Sequence, residues 1–425
     1  MNYNTCLKEM YALRRFGIKL GLSTIEHILS ELDNPHKKFA SIHIAGTNGK
    51  GSVAAMLANV LKCSGFRVGL YTSPHLIRFN ERIVIDGTPI DDHQVASLYQ
   101  AVKKVQKPDR ELTFFEYTTA MAFQAFAEQQ VDWAIIETGM GGRLDATNVL
   151  TPKATIITTI GLEHQAYLGK KICDIAYEKA GIIKPYCPVI TDVRHPNAIK
   201  TIIDRAHEQF APLYQLGQNI RIRHSKKGFS YCGLKYDWRH LHCALNGQHQ
   251  IRNAALALCA YECTVDKHAT WQAVDEGLRT VTWPGRMEII SQDPLIIIDG
   301  AHNFMAIKQL SVYLKSTLKG RPLTLVLGVL DDKPYEKMLM PLLKLSESLI
   351  ITQPKIDRGM DAKILYDFAK PHVKNVRIVK NVADAYLEAT QNAKPSDAIC
   401  ITGSLYVVGE AKAALSEKTD EIFLA

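Results

Sequence analysis

The chain has 425 residues, too many for one hydrophobic core, so two domains are expected. Its apolar fraction of 47% and charged fraction of 22% are those of a soluble globular protein, and no run of about 18 apolar residues offers a membrane span. The net charge of +8 comes from Lys and Arg spread along the sequence with no long block of like charges, which favours small anionic substrates over nucleic acid.

The N-terminal segment lacks the apolar core of a signal peptide. The nine cysteines are odd in number, scattered, and never spaced C-x-x-C, so neither a disulfide framework nor a zinc ribbon is supported. A reducing cytoplasm is the expected compartment.

The first apolar run, residues 41–44, leads into Ala45-Gly46-Thr47-Asn48-Gly49-Lys50-Gly51-Ser52 and then a helix-like segment, 53–61. Strand, Gly-rich turn, lysine, hydroxyl residue and helix form the order in which proteins hold nucleotide phosphates. The glycines let backbone N–H groups turn inward. The helix N-terminus adds partial positive charge, Lys50 a full one, and Ser52 can reach a magnesium ion. The spacing departs from G-x-x-x-x-G-K-[ST], because two residues separate Gly46 from Gly49 and Gly51 splits Lys50 from Ser52. The plain alternative is a Gly-rich turn that opens an ordinary helix. The loop is expected to be exposed.

Further apolar runs follow at 67–71, 133–136, 154–160, 188–190, 295–298, 323–327, 349–351 and 398–401, alternating with helix-like stretches. Such runs indicate parallel sheets covered on both faces. Residues 221–242 are more polar, with aromatics and many Lys and Arg, and read as an antiparallel patch on the edge of the first domain. A new β/α series begins after Thr282-Trp283-Pro284-Gly285-Arg286. The expected architecture is therefore α/β with two domains. Residues 1–286 form an N-terminal parallel sheet covered by helices with a small antiparallel edge patch, and 287–425 a smaller Rossmann-like domain. A nucleotide held by the first would lie in a cleft facing the second.

Chemistry-bearing residues recur at strand ends, where ligands of open α/β sheets bind. Glu137 ends one strand, where it can reach a phosphate-bound cation or simply be a solvated acid in a turn. Glu163-His164 follows the run 154–160. A lone histidine there is commonly a surface or packing residue, and magnesium prefers oxygen. Lys179, in Glu178-Lys179-Ala180-Gly181-Ile182, reads from spacing alone as a solvated helix lysine, with Gly181 ending the helix. Asp299-Gly300-Ala301-His302-Asn303 and Thr402-Gly403-Ser404-Leu405-Tyr406 occupy strand-end turns of the second domain. The aromatics of Thr113-Phe114-Phe115-Glu116-Tyr117 suit either a flat ring or a helix core.

Together these segments resemble the folylpolyglutamate and dihydrofolate synthases of the Mur ligase superfamily. The resemblance spans nearly the whole chain. It rests on Asn34-Pro35-His36-Lys37-Lys38-Phe39, the phosphate loop, Tyr71-Thr72-Ser73-Pro74-His75-Leu76 and Arg78-Phe79-Asn80-Glu81-Arg82. It continues through Gly141-Gly142-Arg143-Leu144-Asp145-Ala146-Thr147-Asn148, the Lys179 motif, His249-Gln250 with Asn253-Ala254-Ala255, Trp283-Pro284-Gly285-Arg286 and the two second-domain motifs.

The resemblance implies ATP-dependent amide formation between a folate or dihydropteroate carboxylate and L-glutamate. Asn48, Gly49, Lys50, Gly51 and Ser52 would hold the phosphates of ATP, with Asn253, Arg286 and Asp299 as further ATP contacts. Ser73 and Glu137 would bind one Mg2+. Glu137, His164 and a carbamylated Lys179 would bind a second, the carbamate supplying the oxygen donor that a plain lysine lacks. Lys50, Lys179 and His302 would be catalytic, Arg82 would face the folate, and His302 and Ser404 the glutamate. The resemblance also implies a cytoplasmic monomer whose partners are small molecules, with no nucleic acid and no membrane. Two departures stand out. Glu163 precedes His164 where the family often has Asp, and Phe304 stands where Pro commonly follows Asn303, a change expected to stay within a turn.

Other classes fit less well. A phosphotransferase or NTPase shares the phosphate loop but needs no second α/β domain. A nucleic-acid binder calls for a dense basic face, which the sequence does not announce. A cell-wall ligase lacks the folate-type motifs.

Overall fold

The computed structural model describes residues 2–13, 21–107, 111–265 and 269–415. They separate into two compact units. The first comprises Met1–Pro74, Asn80–Ala244 and Gln250–Val281, and the second His75–Phe79, Leu245–His249 and Thr282–Ala425. Among the described residues no helix is long and apolar enough to cross a membrane.

The first unit opens with α1 (Tyr3–Ala12), α2 (Ser23–Glu31), β1 (Ala40–Ala45), α3 (Lys50–Cys63) and β2 (Val68–Tyr71). A short ribbon, β3 (Ile83–Ile85) and β4 (Thr88–Pro89), precedes α4 (Asp92–Val105) and α5 (Phe114–Glu128). Next are β5 (Trp133–Glu137), β6 (Ala154–Ile157), α6 (Gln165–Leu168), α7 (Ile172–Ala180), β7 (Val189–Thr191), α8 (Pro196–Glu208) and β8 (Leu213–Gln215). The eight strands form one sheet in the order β4-β3-β2-β5-β1-β6-β7-β8, parallel from β2 to β8. The chain leaves β1 toward β2 and later returns across it to β6. Loops bearing functional groups therefore gather at the carboxyl ends of β1, β5 and β6. Register aligns Ile44 with Glu137, and Ala45 with Ile157, so the phosphate loop and Glu137 leave the sheet side by side. β5 and β6 are buried along their whole length, as continuous Ile- and Ala-rich runs demand. β6 stops at Ile157, and residues 158–160 form the turn beyond it.

Residues 221–242 were expected as an edge patch. They form a small three-stranded antiparallel sheet of the first unit, hydrogen-bonded separately from the main sheet: β9 (Arg221–Ser225), β10 (Gly228–Cys232) and β11 (Asp237–Leu241). A buried carboxylate holds it to α9 (Gln248–Thr264). Glu262 accepts from the Tyr231 hydroxyl at 3.0 Å and from the Leu234 and Tyr236 amides at 2.9 and 3.0 Å. Arg221, Arg223, Lys226, Lys227 and Arg239 are all exposed on this sheet and its turn. The basic residues are thus more gathered than the sequence suggested. Along the β9 edge they oppose pairing with another chain. α10 (Trp271–Thr280) closes the unit against α3.

The second unit runs β12 (Glu288–Gln292), β13 (Leu295–Asp299), α11 (Phe304–Leu318), β14 (Leu323–Leu327), α12 (Tyr335–Leu343) and β15 (Ser348–Ile351). It ends with α13 (Ala362–Ala369), β16 (Asn375–Ile378), α14 (Val382–Gln391), β17 (Ala398–Thr402) and α15 (Leu405–Leu415). The six strands order as β12-β13-β17-β14-β15-β16, with only β12 antiparallel. Ile297, Leu325 and Cys400 face one core with Leu310, Met338 and Leu365 of α11, α12 and α13. Ile296, Val326 and Ile399 face the other with Val382 and Val407 of α14 and α15. Alternate residues of each strand feed opposite cores, which is the two-faced cover a parallel sheet requires.

Candidate active site

The phosphate loop spans the gap between β1 and α3 and is pinned by the turn after β6. The Thr47 amide donates to the Thr159 carbonyl at 2.7 Å, and the Thr158 hydroxyl donates to the Asn48 carbonyl at 2.7 Å. Gly46 has φ +151°, and a Cβ there would sit 1.9 Å from the Thr158 hydroxyl oxygen. Gly49, at φ +89°, caps α3, and its missing side chain leaves room for Asn253. The loop is half-buried rather than exposed.

Four of the expected site residues converge here. Lys50 lies 3.7 Å from Glu137 Oε1, and Ser73 donates its amide to Glu137 Oε2 at 3.2 Å. Lys179 donates to the Gly46 carbonyl at 2.8 Å, and Lys50 to the same oxygen at 3.2 Å. Both Glu137 and Lys179 are buried. The solvated-lysine reading of Lys179 is therefore wrong. Burial, reinforced by the nearby Lys50 charge, lowers its pKa to about 7, against a smaller pull from Glu163 and Asp145. His164 is exposed, in a left-handed conformation, at the start of α6. α9 completes this surface. The Gln250 amide donates to Ser52 Oγ at 3.3 Å, and Asn253 donates to Gln250 at 2.9 Å.

The 139–148 and 178–182 motifs lock onto each other. Arg143 donates from Nε and Nη2 to the single Glu178 Oε1, at 3.2 and 2.9 Å, and its amide donates to the Glu178 carbonyl at 2.7 Å. Asp145 accepts from the Met140 amide at 2.8 Å and the Thr147 hydroxyl at 2.5 Å, and burial raises its pKa. Thr147 in turn meets the buried His43 ring at 2.8 Å. Arg82 is buried with its guanidinium 5.1 Å from the Phe114 ring centre, and Phe114 also stacks on Tyr11 at 5.6 Å. In the same segment Tyr117 is core, whereas Phe114 and Phe115 are partly exposed.

In the second unit Asp299, buried at the end of β13, accepts from the Met287 and Ala301 amides at 2.9 and 3.0 Å. Burial raises its pKa against the opposing Arg286 charge. His302 Nδ1 lies 2.8 Å from the Gly300 carbonyl. Ser404 is buried and caps α15 by accepting from the Val407 amide at 3.1 Å. Phe304 is not in a turn. It is the first residue of α11, behind the Asn303 cap, a position that favours proline without needing its ring.

The Mur ligase middle domain model matches residues 44–261, and the Mur ligase glutamate ligase domain model residues 285–405. The dihydrofolate synthase/folylpolyglutamate synthase of Bacillus subtilis (strain 168) is 35% identical, covering 97% of this chain and 99% of that protein. This chain belongs to the Mur ligase family. Within it, the chain is a member of the dihydrofolate synthase/folylpolyglutamate synthase group. The structure of Escherichia coli FolC in complex with DHPP and ADP is 30% identical, with TM-score 0.91 and 98% of each chain covered. A Yersinia pestis bifunctional folylpolyglutamate synthase/dihydrofolate synthase, complexed with AMPPNP and a Mn ion, is also 30% identical, with TM-score 0.88 and 98% of each covered.

Sequence reading missed several supports of this Mur ligase site. Thr158 and Thr159 clamp the phosphate loop, and only their place after a strand hinted at it. Gln250 was quoted as part of a motif without a role. Asp192 and Arg252, sixty positions apart, gave no local signal.

Proposed function

We propose that this protein is an ATP-dependent ligase that forms an amide between a folate or dihydropteroate carboxylate and L-glutamate, releasing ADP and phosphate. The observation that carries this reading is the convergence of Lys50, Glu137, Ser73 and Lys179 around the phosphate loop, at the carboxyl ends of the central strands β1 and β5. A carboxylate is a poor electrophile, so ATP converts it to an acyl phosphate, which the glutamate amine then attacks through a tetrahedral intermediate. Lys50 offsets charge on the transferring phosphoryl group. Asn48, Gly49, Gly51 and Ser52 hold the phosphates, with Asn253, Arg286 and Asp299 as further ATP contacts. Arg82 orients the folate, and His302 and Ser404 the incoming amino acid. Water must be kept from the acyl phosphate, since hydrolysis competes with amide formation.

Among the described residues no three His, Cys, Asp or Glu side chains come together as a metal-ligating group. The donor set nevertheless suits magnesium if Lys179 is carbamylated, because its lowered pKa keeps much of the amine neutral and able to add CO2. Ser73, Glu137, His164 and the modified Lys179 would hold two Mg2+ ions, which when bound neutralise phosphate charge. We further propose a cytoplasmic monomer, in keeping with nine free cysteines.

The assay that tests this reading measures ADP release by the purified protein with ATP, L-glutamate and either dihydropteroate or tetrahydrofolate. Glutamate-dependent release with both acceptors is expected. Release with tetrahydrofolate alone leaves a folylpolyglutamate synthase only, and release that ignores glutamate overturns the ligase reading.

A further inference from the structure

Asp192 follows β7 and is buried, although it is a carboxylate at the carboxyl end of a strand. Arg252, on the second turn of α9, grips it with two prongs. Its Nε donates to Oδ2 at 2.6 Å, and its Nη2 donates to Oδ1. Arg194 reaches Oδ1 at 3.3 Å, but its side chain is largely in water. The Asp192 amide donates to the Thr158 carbonyl at 3.3 Å, and Thr158 binds the Asn48 carbonyl through its hydroxyl. One partner is thus two hydrogen bonds from the phosphate loop. The other sits between Gln250, bonded to Ser52, and Asn253, whose Oδ1 lies 2.7 Å from where a Gly49 Cβ would be.

A planar, two-pronged guanidinium–carboxylate pair fixes orientation as well as distance. Here it joins α9, whose Gln250 and Asn253 meet Ser52 and Gly49, to the end of β7, which reaches the phosphate loop through Thr158. Glu262 ties the far end of α9 to the antiparallel sheet, and the Arg252–Asp192 pair is a polar tie at its start, without which that end is free to slide. Such a slide would carry Asn253 away from Gly49.

We infer that Asp192 and Arg252 are a positioning pair for the nucleotide: by clamping the start of α9 to the end of β7 they hold Gln250 and Asn253 against Gly49 and Ser52. Neither residue touches the reacting atoms. The inference rests on the nucleotide reading of the phosphate loop.

The test titrates ADP into the full-length protein by calorimetry, with thermal unfolding and the KM for ATP and for glutamate measured in parallel. The variants are Asp192→Asn, Arg252→Ala, Arg252→Lys and the double Asp192→Asn/Arg252→Ala. Each single loss should weaken ADP binding and raise the ATP KM about tenfold, while the glutamate KM stays within about twofold. The double variant should be no worse than the worse single one, and Arg252→Lys should recover part of the loss. If Arg252→Ala does not fold, Arg252→Lys and Asp192→Asn carry the test. Unchanged ADP affinity in either overturns the inference. So does additive loss in the double variant, or an equal rise in the KM of both substrates that tracks the fall in unfolding temperature. Wild-type protein that binds no ADP overturns the nucleotide reading itself, a distinguishable result.

Discussion

The Lys179 side-chain nitrogen donates to the Gly46 carbonyl at 2.8 Å, on an oxygen that Lys50 also reaches at 3.2 Å. Two amines share one backbone acceptor, and the buried one gives way. Its pKa falls to about 7, chiefly by burial and then by repulsion from Lys50. Below that value Lys179 is protonated and cannot add CO2, and above it the amine is neutral. Carbamate-dependent activity should therefore rise as pH increases through about 7 at constant dissolved CO2. Stability has the same sign. The unfolded lysine keeps its proton to about pH 10.4, so the folded state gains between about 7 and that value. Rates and unfolding midpoints across pH 6 to 9 check both, and a flat rate profile would count against the carbamate.

Lys179→Ala should be nearly inactive and regain part of its activity with acetate, whose carboxylate can occupy the space the carbamate leaves. Lys179→Arg, which keeps charge but cannot be carbamylated, should be inactive with or without acetate. Carbon-13 NMR with labelled bicarbonate should show a carbamate signal in the wild type that Lys179→Ala lacks. A signal of equal strength in both sinks the modification.

Gly46→Ala should damage the loop rather than the chemistry alone. Its Cβ would meet the Thr158 hydroxyl at 1.9 Å, and φ of +151° suits glycine. The cost should be about 1–3 kcal/mol of stability together with loss of ADP binding. Adding Thr158→Ala removes the nearest clash and should restore part of both. Normal ADP affinity in Gly46→Ala would mean that the loop is not shaped by this contact.

Much of this was legible in the sequence, for identifiable reasons. The long apolar runs became the central strands because continuous Ile, Leu and Val suit only a sheet buried on both faces. β3, β4, β8, β12 and β16 were missed, being two to five residues long and at or near sheet edges, where composition is mixed. The phosphate loop was legible because its glycines and lysine lie in one stretch. Lys179 was not, because its side chain is held by the Gly46 carbonyl, 133 positions away in sequence. The Asp192–Arg252 pair was invisible for the same reason.

Glu137 should matter more than His164. Glu137 is buried, faces Lys50 at 3.7 Å and accepts from Ser73, whereas His164 is exposed. Glu137→Ala leaves Lys50 without its counter-charge as well as removing a proposed ligand, and should lower kcat by about 100-fold or more. His164→Ala should cost less and shift mainly the magnesium concentration needed for half-maximal rate. If magnesium titration gives both variants the parental rate and midpoint, the metal site lies elsewhere.

Phe114 should distinguish the acceptor from the nucleotide. Thr113 and Glu116 form a reciprocal cap that fixes the start of α5, so Phe114 is presented from a rigid helix end. Tyr117, one turn on, is spent on the core against Tyr99, with ring centres 5.0 Å apart. Phe114 is only partly buried, with Tyr11 stacked on it and Arg82 over the ring. An aromatic face next to a cation suits a flat heterocycle carrying an anionic tail. Phe114→Ala should raise the KM for dihydropteroate and tetrahydrofolate about fivefold, in line with lost stacking worth about 1 kcal/mol. Phe114→Tyr should stay close to the parent, and ADP affinity should not change in either. Because the two acceptors share the planar pyrimidine half of the pterin and differ in its reduced half and in the tail, an equal rise for both places Phe114 at that shared half. A rise for one alone moves it toward the tail, and an unchanged KM for both removes this segment from the acceptor site.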